Sequence, residues 1–454
     1  MASDSQTGPH DAREAALQTL YAVEVKAAFA HLALSHILRT AALPPRERAL
    51  ATELAQGTVR MRAAVDFALA QFCHYQLTRL SPWIRNLLRL AAYELLFLHR
   101  TSPAATCHAA VELAKQYGHP GTVRLVNAVL RRLSEQRKQI DYPPFETDPV
   151  GHLTTRLSHP RWLVERWLQR WPPEEVRALC LTNNRPPPLT VRVNRLRLTP
   201  EDLRAQWEVR GVKAQPCRWA PEGLVVGHVG EVQLLWGFDQ GWFTVQDEAS
   251  MLVGYLAAPQ PGWEVADLCS APGGKATHLA ELMGDRGRVW AVDLHSRRLQ
   301  RVAETAVRLG LRNLFTRCAD ARRVAEVLPQ PLDLVLLDVP CTGTGTLRRR
   351  ADARWRKQPE QLEELVTLQR ELLSAAAELV RPGGVLVYST CSLEPEENEE
   401  QIRWFRERYS HFVPALEPPP EVELPGLNRA EGWLHLWPPR DGTDGAFLAR
   451  LRRG

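Results

Sequence analysis

The sequence predicts a multidomain chain: an all-α bundle, then a small α+β module, then a larger α/β domain built on a mostly parallel sheet. Three observations predict it. The chain has 454 residues, and a prior of roughly 150 residues per domain gives about three domains. Residues 12–140 carry helical periodicity. From about residue 248 strands and helices alternate, which is the rhythm of a parallel sheet covered on both faces.

Each element follows from local pattern. RLVNAVLRRLSE (124–135) places Val126, Val129, Leu130 and Leu133 on one helical face. RNLLRLAAYELLFLH (85–99) is apolar almost all round, as a central buried helix is. Turns at LPPRE (43–47), LSPW (80–83) and YGHPG (117–121) divide the region into several helices. YPP at 142–144 marks a boundary, so the bundle is expected over 1–142 and the α+β module over 143–245. In that module WLVERWLQRW (162–171) reads as a helix, and LTVRVN (189–194), GLVVG (223–227) and GWFTVQ (241–246) as strands. Thr199-Pro200-Glu201-Asp202 opens a further helix with an N-cap, a proline at the first position and acids in the first turn. The last domain, 246–454, has strands at EVADL (264–268), RVWAVD (288–293), NLFTRC (313–318), LDLVLLD (332–338) and GVLVYST (384–390), with helices near 275–283, 296–309 and 360–381. WLHLWP (433–438) and GAFLARLR (445–452) form a closing hairpin, which brings the sheet to seven strands with an antiparallel addition. No internal repeat recurs at a fixed period.

Composition excludes several classes. At 44% hydrophobic and 24% charged residues the chain is globular. No apolar run reaches the roughly 18–20 residues of a membrane helix, and MASDSQTGPHDARE lacks the features of a secretory signal. Eight scattered cysteines form no Cys-x-x-Cys pair, so neither a zinc site nor a disulfide scaffold is expected, and a reducing cytoplasm is. Residues 1–142 hold 17 Lys+Arg against 11 Asp+Glu, while the remainder holds 40 against 41. The positive excess therefore lies in the helical third, where it suits a polyanionic partner as well as a solvated helical surface.

Ligands of open α/β sheets sit at the carboxyl ends of the strands. The first strand runs into DLCSAPGGKATHLAELMG (267–284), where Gly273 and Gly274 permit a tight turn and close approach of the backbone to a ligand. A phosphate loop is excluded twice over: Cys269 stands where its first glycine belongs, and Ala276 follows the lysine. The dinucleotide fingerprint is absent. Asp293, 26 residues after Asp267, is placed to accept both hydroxyls of a ribose, and Asp320, after the third strand, to accept from an adenine amino group. A glycine turn without a phosphate loop, followed in order by a ribose acid and an adenine acid, fits S-adenosyl-L-methionine.

LVLLDVPCTGTG (334–345) and VYSTCSLEPEENEEQ (387–401) each present a cysteine just past a strand, Cys341 and Cys391. Methylation of cytosine C5 proceeds by addition of a thiolate at C6, which makes C5 nucleophilic. The chemistry needs one nucleophilic cysteine, a carboxyl group near ring N3, for which Asp338 is placed, and a base for the C5 proton. Two small buried hydrophobes and a redox dithiol are the competing readings of these cysteines.

DLCSAPGGKAT, DVPCTGTG and STCSLEPEENE, in that order, resemble the signature motifs of the RNA 5-methylcytosine methyltransferases of the Nol1/Nop2/Sun family; VQDEAS (245–250) and DGTDGAFLARL (441–451) resemble it too. The likeness spans roughly 145–454. It implies a Rossmann-like class I methyltransferase fold, an RRM-like α+β module, Cys391 as the attacking thiolate and Cys341 as the group assisting release of the methylated RNA. Cofactor contacts are implied for Cys269, Ser270, Ala271, Pro272, Gly273, Gly274, Lys275, Asp293, Asp320 and Asp338. DNA cytosine methyltransferases use the Pro-Cys cysteine instead. The family commonly has alanine at Ser270 and Val339, serine at Thr342 and threonine at Ala276; the changes at 270 and 276 bear on cofactor affinity. The basic helical domain resembles NusB, an RNA-binding fold, and the pairing implies a cytosine of small-subunit (16S) ribosomal RNA as substrate.

RNA bases are read where they can be splayed from the stack. In LRRRADARWRKQ (347–358), directly after the Pro-Cys loop, Arg348, Arg349, Arg350, Arg354 and Arg356 are candidate phosphate contacts and Trp355 a candidate stacking group. A monomer without metal or membrane association is expected.

Overall fold

The computed structural model describes residues 8–98, 101–227, 229–416 and 426–454. The first seven residues of the N-terminal stretch, and His99 at the end of the apolar helix segment, lie outside them. The chain divides into two compact units, 1–185 with 350–356, and 186–349 with 357–454.

The first unit is helical: α1 Ala12–Val25, α2 Ala30–Thr40, α3 Pro45–Arg60, α4 Arg62–Ala70, α5 Pro82–Phe97, α6 Pro103–Tyr117, α7 Pro120–Gln136, α8 Pro149–Thr155, α9 Arg161–Arg170 and α10 Pro173–Asn183. The expected turns resolve as helix starts, because Pro45, Pro82 and Pro120 each occupy the first helical turn, where a missing N–H costs nothing. Ser81 caps α5 and Asp11 caps α1. As expected, α5 is buried through most of its length, and Val126, Val129, Leu130 and Leu133 of α7 are buried. Its buried Arg89 is held by Asp66 through two bonds of 2.7 and 2.8 Å, and Glu94 is paired with Arg13, as burial of charge requires. The unit extends past Tyr142–Pro144, because α8–α10 stay with the bundle. Tyr142 Oη donates to Ala64 O at 3.0 Å, and Ala63 N donates to Ser158 Oγ at 3.0 Å.

The second unit begins with an antiparallel sheet in the order β2-β3-β1-β4, formed by β1 Leu189–Val193, β2 Ala214–Pro216, β3 Gly223–Val226 and β4 Phe243–Val245. Helix α11, Pro200–Glu208, follows β1 and opens with the capping box of Thr199 and Asp202. Then come α12 Glu248–Ala257, β5 Glu264–Asp267, α13 Gly274–Leu282, β6 Arg288–Asp293, α14 Ser296–Leu309, β7 Leu314–Cys318 and β8 Leu332–Asp338. The short α15 Ala353–Arg356 belongs to the helical unit. The chain closes with α16 Glu360–Leu379, β9 Val380–Thr390, α17 Glu399–Arg408, β10 Phe412–Pro414, β11 Leu427–Asn428, β12 Trp433–Leu436, α18 Pro438–Asp441 and β13 Ala446–Arg453.

The larger sheet runs β11-β12-β13-β9-β8-β5-β6-β7, with β10 paired to β13. β5 to β9 are mutually parallel, and β13 lies antiparallel to β9 with Phe447 opposite Thr390. The seven expected strands are joined by two short edge strands, β10 and β11, which makes nine among the described residues. At two or three residues these edge segments are too short to show alternation. Alternate residues of the strands feed two cores: Val265, Leu334, Leu336 and Val387 on one face, and Ala266, Val335, Leu337 and Tyr388 on the other. From β5 the chain winds outward through β6 and β7, then crosses back to β8 and β9. The reversal places a crevice above the carboxyl ends of β5 and β8.

Candidate active site

Asp267 and Asp338 end the two strands that flank this crevice. After β5 the chain turns sharply. Ser270 N donates to Val292 O at 2.8 Å and Gly273 N to Ser270 O at 2.7 Å. Gly273 has φ +102°, and a Cβ there would meet Val302 Cγ1 at 2.9 Å, so this position requires glycine. Asp293, at the end of β6, is buried; its Oδ2 accepts from Ala271 N at 3.2 Å and its Oδ1 from His295 N at 3.0 Å. Oδ2 is also 3.5 Å from Arg298 Nη1, so Oδ1 is the oxygen with a further lone pair for a ligand hydroxyl. Lys275 Nζ donates to Asp338 Oδ2 at 2.6 Å, and Ser389 Oγ donates to Asp338 Oδ1 at 2.7 Å. Burial works to lower the Lys275 ammonium, but the charge and hydrogen bond of Asp338, with Cys391 and Asp267, hold it above its ordinary value. Burial, reinforced by the Asp338 charge, pushes the Asp267 carboxyl up to about 7. Both Asp267 oxygens are buried without a hydrogen-bond partner of normal geometry. Burial pushes the Cys269 thiol up, so it is an inert lining group. Asp320 caps the turn at 321–326 and is gripped by Arg322 at 2.7 Å, which also reaches Glu371 at 3.0 Å. The Arg322 hydrogen bonds hold its carboxyl below the usual range.

These residues fit the expected cofactor. A turn lined by Asp267, Asp293 and Asp338, with two buried acceptor atoms unsatisfied, suits a ligand bearing an ammonium, a cationic sulfonium and ribose hydroxyls rather than a phosphate. Asp293→Ala is expected to weaken cofactor binding about tenfold, read by calorimetric titration, as removal of a charged acceptor from the ribose hydroxyls predicts.

The two cysteines face one another. Cys341 Sγ lies 3.4 Å from Cys391 Sγ; both are half-buried and neither is in a disulfide. Glycine makes this approach possible. Gly345 N donates to Cys391 O at 2.9 Å, and Gly445 N donates to Gly345 O at 2.9 Å. A Cβ at Gly345 would stand 2.3 Å from Gly445 O and 2.9 Å from Cys391 O. Gly345→Ala is therefore expected to separate the Pro-Cys and Thr-Cys loops and to lower turnover at least about tenfold while cofactor affinity is kept, measured as kcat beside cofactor Kd.

Two charge runs do not behave as solvated faces. In the acidic run Glu394, Glu397, Asn398 and Gln401 are all buried, and Glu397 and Asn398 bond to the loops that carry the two thiols. The basic run, expected to contact RNA, is mostly engaged within the protein. Arg349 is paired with Asp444 at 2.6 Å and with Asp247, and donates to Pro188 O at 3.0 Å. Arg348 donates to Pro186 O at 2.9 Å. Arg354 is buried; it donates to the carbonyls of Arg60, Ser158 and Asn183 and to Asn184 Oδ1. Trp355 Nε1 donates to Val59 O at 2.7 Å, and Arg356 donates to Ala27 O at 2.9 Å and lies over the Phe29 ring. Of the six, Arg350 alone is exposed. The physical reason is that the acceptors for this run come from distant segments, which a local charge pattern does not reveal.

Sequence reasoning missed Arg192, the arginine inside the strand segment LTVRVN. Fully buried, it donates to Gly274 O at 2.7 Å and Thr277 Oγ1 at 3.0 Å and is paired with Glu281 at 2.8 Å, bracing the first turns of α13. Its signal was an arginine among alternating β-branched residues. The motif residues Asp247 and Asp444 likewise prove to be partners of Arg349. Burial and the neighbouring Asp247 charge push Asp444 up to about 7.

Among the described residues no group of three or more His, Cys, Asp or Glu is set to hold a metal ion, and no helix is long and apolar enough to cross a membrane. A doubly wound sheet with an acid-lined glycine turn at its switch point, and paired thiols past its fourth and fifth parallel strands, defines a class I methyltransferase of the cysteine-bearing pyrimidine type. Comparison with known proteins gives the particular family. Residues 254–452 match the family described as 16S rRNA methyltransferase RsmB/F, residues 10–135 the NusB family, and residues 159–233 the ferredoxin-like domain of RsmF/B-like methyltransferases. The chain is 35% identical over 449 residues to "Probable ribosomal RNA small subunit methyltransferase B" of Bacillus subtilis, covering 97% of this chain and 98% of that protein. It is 35% identical to ribosomal RNA small subunit methyltransferase B of Pseudomonas putida, covering 89% and 90%. The solved structure of PH0851 superposes with a TM-score of 0.82 at 29% identity, covering 97% and 98%. A methyltransferase homolog from Pyrococcus horikoshii gives 0.58 at 30% identity, covering 67% and 99%. The chain belongs to the RsmB/Sun family of RNA cytosine-C5 methyltransferases, with an N-terminal NusB-like domain, and its cofactor is S-adenosyl-L-methionine.

Proposed function

We propose that the chain methylates C5 of a cytosine in 16S ribosomal RNA through a covalent bond between Cys391 Sγ and ring carbon C6. The observation that carries this reading is the 3.4 Å approach of the two thiols at the crevice, beside an Asp338 carboxylate held by Lys275 and Ser389. The Lys275 ammonium, whose field includes Cys391, favours the thiolate there. As that thiolate adds to C6, solvent water delivers a proton to ring N3, and the N3–H donates to Asp338. The cofactor supplies an electrophilic methyl group to C5. The C5 proton passes to solvent water as its bonding electrons re-form the ring double bond and expel the Cys391 thiolate, N3 gives its proton back, and Cys341, still protonated opposite the departing sulfur, assists release by donating a hydrogen bond to it. Asp293 and the 269–275 turn hold the cofactor. Asp320 serves the adenine amino group only by sharing its carboxylate with Arg322.

For the RNA, the basic helical unit supplies phosphate contacts and Arg350 remains the candidate within the 348–356 run. Arg350→Ala is expected to reduce the slope of log affinity against log salt by about one, measured by filter binding. The substrate assignment is tested by mapping 5-methylcytosine in ribosomal RNA from cells with and without the protein. Loss of one site in 16S RNA is expected, and loss confined to tRNA or large-subunit RNA would overturn it.

A further inference from the structure

Glu397 belongs to the buried acidic run and has no place in the chemistry above. We propose that Glu397 is a positioning residue that fixes the Cys341 loop against the Cys391 loop and, through its buried negative charge, keeps the ionised thiol on Cys391. The proposal rests on the two-cysteine reading and deepens it.

The geometry is specific to Cys341. Glu397 is fully buried. Its Oε1 accepts from Thr342 N at 2.8 Å and from Gln369 Nε2 at 3.0 Å, and its Oε2 accepts from Thr342 Oγ1. Gln369 Nε2 also donates to Pro340 O at 3.0 Å. The peptide groups on either side of Cys341 are thus tied to one carboxylate and one amide. The next residue, Asn398, does the same for the other thiol: its Oδ1 accepts from Thr390 Oγ1 at 2.6 Å and its Nδ2 donates to Ser392 O at 3.0 Å. Thr342 Oγ1 and Ser392 Oγ, 3.0 Å apart, link the two loops. Tyr388 Oη donates to Glu397 O at 2.7 Å, which seats the dipeptide on β9. A single turn therefore holds both cysteines in register.

The charge distribution is asymmetric. Burial pushes the Glu397 carboxyl above its ordinary value, and the hydrogen bonds it accepts from Ser392, Thr342 and Gln369 oppose that shift and favour its ionised, acceptor-only form facing the Cys341 loop. The other titratable groups around the thiols are Asp338 at the end of β8, Tyr388 on β9 and Lys275 on α13, with Lys275 paired to Asp338. The Lys275 cation interacts with Cys391 and favours a thiolate there, and the Glu397 charge acts on Cys341 and disfavours one there. The hydrogen bond with Cys391, burial, and the charges of Cys391 and Glu397 together push the Cys341 thiol well above its ordinary value.

The test is iodoacetamide alkylation of the full-length protein, without RNA or cofactor, followed across pH with each cysteine quantified by mass spectrometry. In the unaltered protein Cys391 is expected to react before Cys341. In Glu397→Gln, where the amide oxygen replaces Oε1 and the amide nitrogen donates to Thr342 Oγ1, Cys341 is expected to alkylate at least about threefold faster below its midpoint, with the Cys391 profile unchanged. An unshifted Cys341 profile in a variant of unchanged thermal midpoint would overturn the proposal. If the variant does not fold, the unaltered protein still decides, because reaction of Cys341 ahead of Cys391 overturns it as well. The adduct reading fails separately: an RNA adduct persisting in Cys391→Ala sinks that reading whatever the alkylation profiles show.

Discussion

Cys391→Ala is expected to lower turnover roughly a thousandfold or more and to leave no protein–RNA adduct, because the proposed bond to C6 is made by that sulfur, while Cys341 3.4 Å away acts only in release. Cys341→Ala is expected to give the opposite phenotype. The bond to C6 forms and the methyl group transfers, but release stalls, and the protein accumulates as a covalent complex with RNA. Denaturing gels with labelled RNA read both variants directly, and tritium transferred from labelled cofactor separates methylated from unmethylated adducts. Asp338 lies at the end of β8 beside Ser389 of β9, so its position is kept in either variant. A DNA-type mechanism exchanges the two outcomes, with the adduct lost in Cys341→Ala and kept in Cys391→Ala. Near-normal turnover of Cys391→Ala would refute covalent catalysis from that position.

Arg354→Ala is expected to destabilise the helical unit by about 3 kcal/mol, read as a lowered midpoint in denaturant unfolding. The guanidinium is 1% exposed and donates to Arg60 O at 3.2 Å, Ser158 O at 2.9 Å, Asn183 O at 3.2 Å and Asn184 Oδ1 at 2.9 Å. Truncation removes the guanidinium donor from three buried carbonyls and the half-buried Asn184 Oδ1, and leaves a void where the side chain stood. Were Arg354 a phosphate contact, the same substitution would leave stability within about 0.5 kcal/mol and reduce the salt dependence of RNA binding. The two outcomes exclude one another.

Much of the catalytic unit was legible because period-two alternation and strand-end chemistry are local signals. β6 and β8 fall on the expected residues, α14 likewise, and the closing hairpin pairs as read, with His435 opposite Phe447. The glycine turn, Asp293 and the two cysteines stand at strand ends for the same reason. What was not legible depends on partners far away in sequence. Arg349 reads as a solvated charge until Asp247 and Asp444 are brought to it. Glu397 reads as part of an acidic surface until Thr342 and Gln369 enclose it. Arg192 reads as the polar face of a strand, whereas it braces the helix after the cofactor turn. A one-dimensional charge pattern carries sign but not burial, and at these positions burial decides the role.

The helical unit is not a continuous stretch of polypeptide. Its last piece, 350–356, is supplied by the chain after the Pro-Cys loop. A fragment ending at residue 185 would be missing Arg354 and Trp355 from its interior, so dissection of this protein into autonomous halves should fail on the N-terminal side unless that heptapeptide is added back as a separate strand of chain. Biosynthesis inherits the same order: the ribosome finishes the first ten helices well before the peptide that completes their packing emerges.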